Sequence, residues 1–453
     1  MKKTLLFGVL WFSTANILAS DLLQVYELAT ERDSKLREAA ATRDALLEAR
    51  PQSIARLLPR LSMSGQWNRN SVRSTFPAVP SSAFGANPLV FFAGGTNVDF
   101  WSSSASVNLT QPVYHHELWV QLSQADSQVA EAEAHFAAEQ QNLILRAAEA
   151  YFGVLYAEDS LEFTLAEQRA IERQREEAKA RFEVGLTAVT DIHEAQAAYD
   201  QARANAIQAQ NQLDDSTEAL QVIVGDYSAR LASLDASLPL KPPQPTAIDD
   251  WNTQAQGNNL NIIAASNRLD AAKKNIDLQF AGHFPSLDLV GSAGFTDTTR
   301  PYGVSTEYQA IGMQVNVPVF EGGGVNSRVR QARHQFEAAR ENLDGLRRSV
   351  KRDVKDAYRG VLSSISQVEA LQSAVVSATS ALEASQTGLE VGTRTMVDVL
   401  TEQRNLYRAK RDYARSRYDY ILNSLRLKQA AGTLKTEDMM LVNSWLKRGE
   451  NSE

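Results

Sequence analysis

Leu61-Ser62-Met63-Ser64-Gly65-Gln66-Trp67-Asn68 alternates, residue by residue, between an apolar or small side chain and a polar one. Three further stretches do the same. Ala105, Val107 and Leu109 alternate with Ser104, Ser106, Asn108 and Thr110. Leu287, Leu289, Gly291, Ala293 and Phe295 form a third set, and Ile311, Met313, Val315, Val317 and Val319 a fourth. Successive side chains of a strand point to opposite faces, so period two over about ten residues predicts strands with one oily and one wet face. They fall into two hairpins with unequal connecting loops, Ser71 to Phe100 and Asp297 to Glu307. The longer loop carries Phe91-Phe92, Gly94-Gly95 and three prolines.

Outward from the hairpins the pattern changes. No proline occurs between Pro112 and Pro239, or after Pro318. His115 to Arg181 holds 14 alanines and is otherwise rich in Glu, Gln, Arg and Leu, a strongly helix-forming composition. At 1.5 Å per residue one helix over that stretch is about 100 Å long. Its small and polar residues, with Leu, Ile, Val and Tyr at helical spacing, favour close coiled-coil contacts over one thick core.

The chain repeats itself. Glu149-Ala150-Tyr151 returns as Asp356-Ala357-Tyr358, Val184-Gly185 as Val391-Gly392, Asp191 as Asp398 and Gly225 as Gly432, all 207 residues on. Upstream, Ala39 and Asp44 answer Ala265 and Asp270, and Leu58-Pro59-Arg60-Leu61 answers Phe284-Pro285-Ser286-Leu287. Two halves of one design follow, residues 21–238 and 247–432, each reading helix, strand, loop, strand, very long helix, turn, long helix. The seam is the proline-rich linker 239–246, which cannot continue a helix, and a C-terminal helix and tail fill 433–453.

Residues 1–20 read as a signal peptide: Lys2 and Lys3, a short apolar run from Leu5 to Phe12, and a small-residue cleavage point after Ala19 or Ser20. Its removal takes the formal net charge from −8 to −10. An acidic chain is a poor nucleic-acid binder and favours cations in any pore it lines. Without cysteine there is neither a disulfide nor a lipidated N-terminus, so stability must come from packing or assembly.

No run of about 18 apolar residues follows the leader, so membrane contact falls to a β-barrel or to surface binding. A soluble sheet on helices shows the same alternation. Long loops on one side and hairpins set into very long helices argue for strands in an outer membrane. Four strands cannot close a barrel, and a lipid-exposed sheet edge is forbidden, so several chains must share one. A periplasmic coiled-coil scaffold or adaptor explains the helices but not the strands, and an ordinary porin does the reverse. No nucleophile–base pair, phosphate loop or paired catalytic carboxylates supports an enzyme, and His115-His116 lacks a third metal ligand at workable spacing. No cofactor or metal is expected. Trp67, Trp101 and Phe91-Phe92 suit an aromatic girdle and equally suit a place in the connecting loop.

Asp21-Leu22-Leu23-Gln24-Val25-Tyr26, Arg181-Phe182-Glu183-Val184-Gly185-Leu186-Thr187, Pro318-Val319-Phe320-Glu321-Gly322-Gly323 and Val391-Gly392-Thr393-Arg394-Thr395-Met396-Val397-Asp398-Val399-Leu400 resemble, in order and spacing, segments of the TolC family, from about Asp21 to Leu446. The resemblance implies a mainly α trimer, with a periplasmic α-helical barrel continuous with a shared 12-stranded outer-membrane β-barrel, four strands per chain. It implies a passive exit duct for a tripartite efflux pump or type I secretion system, conducting drugs, bile salts or polypeptides. Its partners are outer-membrane lipid, a periplasmic adaptor and an inner-membrane pump reached mainly through the adaptor.

The resemblance also assigns residues. Asp398 aligns with a pore-constriction carboxylate, although Thr395 and Asp398 equally fit a helix cap. Arg394 aligns with a gate latch that links to Thr190 and Asp191 of a neighbouring helix. Val184-Gly185-Leu186 and Val391-Gly392-Thr393 are the adaptor-docking tips, whose glycines first of all permit a tight helix-to-helix turn. Two positions depart from the family. Thr401 stands where a second aspartate is usual, and Leu389 where a latch tyrosine is usual. A thinner acidic ring and a weaker latch are therefore expected.

Overall fold

The computed structural model describes residues 20–75, 95–227, 229–299 and 303–447. The leader up to Ala19 and the Phe91-Phe92 pair lie outside these residues.

The first half of the chain runs α1 (Leu22–Arg32), α2 (Ser34–Leu47), α3 (Ala49–Ala55), β1 (Arg60–Thr75), β2 (Gly95–Tyr114), α4 (His116–Glu183) and α5 (Val189–Val224). The second runs α6 (Ile248–Asn258), α7 (Leu260–Phe280), a 3-10 turn (Ala281–His283), β3 (Ser286–Thr298), β4 (Ser305–Asn316), α8 (Gly324–Glu390), α9 (Met396–Ala430) and α10 (Thr436–Asn443). The element order occurs twice, and α4 and α8 are single helices of 68 and 67 residues. None of the described helices is long and apolar enough to cross a membrane.

The chain divides into two compact units. Among the described residues, the first comprises 20–44, 131–266 and 342–447. Its largest fully buried side chains include Tyr151, Phe152, Leu155, Ile171, Ile421 and Leu425. The Tyr151 hydroxyl donates to the Ala232 carbonyl at 2.7 Å. A short parallel bridge, Ser20 to Leu231, and an antiparallel one, Leu234 to Leu446, tie the segment after α5 to both ends of the described chain. Small residues set the close helix contacts: Ala195, Ala198, Ala202 and Ala206 form a buried stripe at three- and four-residue spacing on α5.

The second unit comprises residues 45–130 and 267–341 and holds one antiparallel sheet in the order β1-β2-β3-β4. Both strands of the first hairpin are longer than the alternation predicts. β1 continues to Thr75 and β2 begins at Gly95. Beyond Arg69 and Trp101 the pattern inverts. Val72, Val98 and Phe100 take the face that Ser and Asn hold lower down, while Arg73, Asn97 and Asp99 take the apolar face. Ladder bonds persist through this inversion because they need no side-chain pattern.

Candidate functional site

In the sheet the register sorts side chains into rows. Leu61, Leu109, Gly291 and Ile311 form one row, and Met63, Val107, Ala293 and Gln309 the next on the same face. Leu61, Met63, Trp67, Ile311 and Met313 there are exposed, each by 70% or more. A soluble protein rarely leaves so much contiguous apolar surface uncovered. The opposite face carries Ser62, Asn108 and Ser292 in one row and Ser64 and Ser106 in another. Ser64 and Ser106 share a 2.9 Å hydrogen bond, and the Asn70 amide donates to Ser102 at 2.8 Å. This polar face has charges only toward one end, at Arg60 and Asp288.

Trp67 and Trp101 stack with ring centroids 5.1 Å apart, beside the Arg69–Asp99 ion pair at 3.7 Å. Aromatics followed by charges mark where an apolar band ends. Among the described residues β1 and β4 each have one strand neighbour, so both outer edges of the ladder are free.

At the base of α4 lies His115, a residue the metal argument set aside. One ring nitrogen meets Glu117 at 2.8 Å and the other meets Asp288 of β3 at 3.0 Å. Burial opposes its charge, but these two carboxylates outweigh it and raise the pKa above the ordinary histidine value.

In the first unit the two helix-to-helix turns are built alike. Gly185 (φ 77°) and Gly392 (φ 78°) adopt the left-handed conformation that favours glycine. Around the first, the Leu186 N–H donates to the Arg181 carbonyl at 2.8 Å and the Gly185 N–H to Phe182 at 2.9 Å. Around the second, the Thr393 N–H donates to Gly388 at 2.8 Å and the Gly392 N–H to Leu389 at 3.3 Å. Both are Schellman ends, which satisfy the last carbonyls of α4 and α8. Such ends usually fold an apolar residue back onto the helix. Here Val184, Leu186 and Val391 instead stand free, 70, 77 and 69% exposed.

Asp398 closes a capping box at the start of α9. The Thr395 N–H and hydroxyl both donate to its Oδ2 at 2.9 Å, and its own N–H donates back to Thr395 Oγ1 at 3.3 Å. The backbone bond, then the hydroxyl bond, hold its carboxyl below the usual range, and the Arg394 charge adds to this. The cap is therefore real, and its carboxylate stays ionised at neutral pH.

Among the described residues of one chain, Arg394 is not joined to Thr190 or Asp191. Asp191 accepts from the Thr187 hydroxyl, and Thr190 lies 3.5 Å from it. Arg394 has no ion-pair partner among the described residues. Its stem lies so close over Gly388 that a Cβ there would meet Arg394 Cγ at 2.6 Å. Leu389 packs inward against both apolar clusters near the turns. Thr401 is exposed.

The structure adds residues that sequence reading passed over. Met396 and Leu400 of α9 are buried against Ile171 and Ala178 of α4 and the alanine stripe of α5. Three polar contacts then run along α4 and α9: Glu167 with Arg411 at 2.9 Å, Asp159 with the Tyr418 hydroxyl at 2.7 Å and Glu149 with Arg426 at 2.7 Å. The partners are 244, 259 and 277 residues apart, so no local spacing announces them.

Comparison with known proteins agrees with this geometry. The outer membrane efflux protein family model matches residues 25–226 and 251–433. The outer membrane protein TolC of Vibrio cholerae serotype O1 is 39% identical over 436 residues, 95% of each chain. That of Escherichia coli K12 is 35% identical over 443 residues, 95% of this chain and 86% of its own. Among solved structures, the Campylobacter jejuni CmeC outer membrane channel superposes with TM-score 0.77 at 14% identity, covering 98% of this chain and 95% of its own. At that identity it shows the fold alone. The chain belongs to the outer membrane efflux protein family, as an exit duct seated in the outer membrane with its helical tunnel in the periplasm.

Proposed function

We propose that three copies of this chain assemble into one passive duct, which catalyses nothing and needs no cofactor. The observation that carries the reading is the sheet: four strands, one apolar face, one hydroxyl- and amide-lined face, and two free edges. In lipid such edges are untenable, because each unpaired backbone group there costs several kcal/mol, on the order of 2–7. Pairing β4 of one copy with β1 of the next removes every edge, and three copies give the twelve strands of the family's channels. The apolar face then meets outer-membrane lipid, and the serine-rich face lines a wet lumen.

In this assembly Asp398 forms an acidic ring at the periplasmic constriction, with no second ring at Thr401. Arg394 of one copy reaches Thr190 and Asp191 of its neighbour and biases the gate toward closed. The free apolar side chains at Val184, Leu186 and Val391, on turns shaped by Gly185, Gly392 and Thr393, are the docking points for a periplasmic adaptor. Through that adaptor the duct meets an inner-membrane pump. Residues 21–238 and 247–432 act as two copies of one structural unit joined by the 239–246 linker.

Efflux is the family's activity. Secretion of polypeptides is supported by a relative named alkaline protease secretion protein AprF, from Pseudomonas aeruginosa, 29% identical over 99% of this chain and 92% of its own. Fractionation tests the reading. Recovery as a heat-resistant trimer in the outer membrane is expected, and a soluble monomer in periplasmic extract would refute it.

A further inference from the structure

The duplication points to which faces of the first unit meet between copies, and by what chemistry. Within one chain, α4 lies against α9 through Glu149–Arg426, Asp159–Tyr418 and Glu167–Arg411. Moving each α4 residue 207 positions on gives α8, and moving each α9 residue 207 back gives α5. The three contacts then become Asp356 level with Ala219, Ser366 with Asn211 and Ala374 with Ala204.

The face of α5 that includes Ala204, Asn211, Asp215, Glu218 and Val222 lies opposite the helix's buried alanine stripe. Val222 and Ile207 there are 79 and 57% exposed. From Ala204 to Val224, α5 holds Asp214, Asp215 and Glu218 and no lysine or arginine.

The corresponding face of α8 carries Arg348, Arg352, Lys355 and Arg359 at four-, three- and four-residue spacing, followed by Leu362. It points away from the buried Val350, Val354 and Val361 of the same helix. Three of these cations have nearby carboxylates on α8 itself, Asp344, Asp353 and Asp356. Those pairs are exposed at the surface and bind weakly. By the duplicated register, Arg359 stands level with Asp215 and Glu218.

We infer that α8 of one copy docks on α5 of the next through this opposed-charge seam, with Arg359 between Asp215 and Glu218 and the exposed Leu362 and Val222 flanking them. The inference rests on the trimer proposed above. Charge complementarity between two long free faces commits each to a second copy of this chain. The polarity is the reverse of that inside the chain, where the acids lie on α4 and the bases on α9. That reversal discourages α5 from taking the place of its counterpart α9 on α4, where acid would meet acid, and α9 from taking the place of α5 on α8, where base would meet base, and so fixes the order of helices around the tunnel.

The chain has no cysteine, so introduced thiols are unambiguous. Glu218→Cys combined with Arg359→Cys, treated with a short bifunctional maleimide in isolated outer membranes, is expected to give covalent dimers and trimers. Glu218→Cys with Arg348→Cys displaces one thiol by eleven residues, about 16 Å along the helix, and should give at least tenfold less product. Glu218→Arg or Arg359→Glu alone should lower the trimer yield several-fold, and the two together should restore it. An intact trimer with no 218/359 product, or with more product from 218/348, overturns the seam and leaves the duct standing. A wild-type chain that is monomeric overturns both.

Discussion

Of the contacts that keep α9 against α4, Glu167–Arg411 has the most to lose on mutation, because its carboxylate is buried. The Glu167 side chain is 4% exposed, and its carboxylate meets Arg411 at 2.9 Å, with Thr164 within 3.4 Å of the same guanidinium. Arg411→Met keeps an aliphatic stem but strands the buried carboxylate. Breaking a buried pair from one side costs about 3–5 kcal/mol. The neighbouring Glu149–Arg426 pair is half-exposed and supplies no more than about 1 kcal/mol. Local separation of α9 from α4 should therefore become on the order of a hundred- to a few-thousand-fold more frequent, at tenfold per 1.4 kcal/mol. Hydrogen exchange resolved along α9 reads this directly. Amides near Arg411 should exchange faster by that factor, and those of the sheet should not change. Adding Glu167→Leu removes the stranded charge and should recover most of the protection. Unchanged exchange in Arg411→Met, or a double variant no better than the single, would refute the argument that this pair anchors the helix.

Four further outcomes are expected. The raised pKa of His115 means that its bonds to Glu117 and Asp288 stabilise the fold fully below the unfolded histidine value. That contribution is lost as pH rises through the higher folded value, so Tm should fall across neutral to mildly alkaline pH, and His115→Gln should flatten this slope. Asp398→Asn removes the proposed acidic ring, and the reversal potential of single channels in a salt gradient should shift toward zero; undiminished cation selectivity counts against the ring. Arg394→Ser should raise basal conductance severalfold while trimer yield stays constant, whereas an unchanged closed-state current counts against the latch. Gly432→Ala places a Cβ 2.2 Å from the Asn258 carbonyl oxygen at φ 71°, so it should lower folded yield sharply, as judged by trypsin resistance.

What could be read from the sequence depended on the range over which the signal acts. The strands announced themselves because one face must be apolar at every second residue from Leu61 to Trp67. The same logic ended the first hairpin too early, because Val72, Val98 and Phe100 swap faces while the ladder continues. The turns were legible from Gly185 and Gly392, since a left-handed residue is a local demand. The cap at Thr395 and Asp398 was legible for the same reason. Thr187 sits four residues before Asp191, so its hydroxyl bond to that carboxylate is a local one, whereas the family resemblance pairs Asp191 with Arg394 instead. Glu167–Arg411 and Asp159–Tyr418 were out of reach, since nothing near Glu167 says that its partner lies on a helix of the other half.

The proposed duplication accounts for how such distant pairs stayed consistent while the halves diverged. In the first half Asp33, 3% exposed, caps α2 through the Leu36 N–H at 2.8 Å and receives Arg146 at 2.7 Å. Arg146 corresponds by the 207-residue offset to Asp353, and Asp33 by the upstream offset to Asn259. Asn259 still caps its helix, accepting from Asn261 at 3.1 Å and Ile262 at 3.3 Å, and it lines the same cavity as Asp353. An aspartate at 259 would face an acid instead of a base. The amide keeps the cap and drops the charge, and its nitrogen donates to the Ala430 carbonyl at the end of α9 at 3.0 Å. A cap needs only an acceptor oxygen, so the backbone design held in both halves while the charge changed with its partner. On this reading the two halves share geometry rather than electrostatics. That leaves α5 free to be acidic where α9 is basic, and lets one duplicated scaffold present different surfaces to its own chain and to its neighbour.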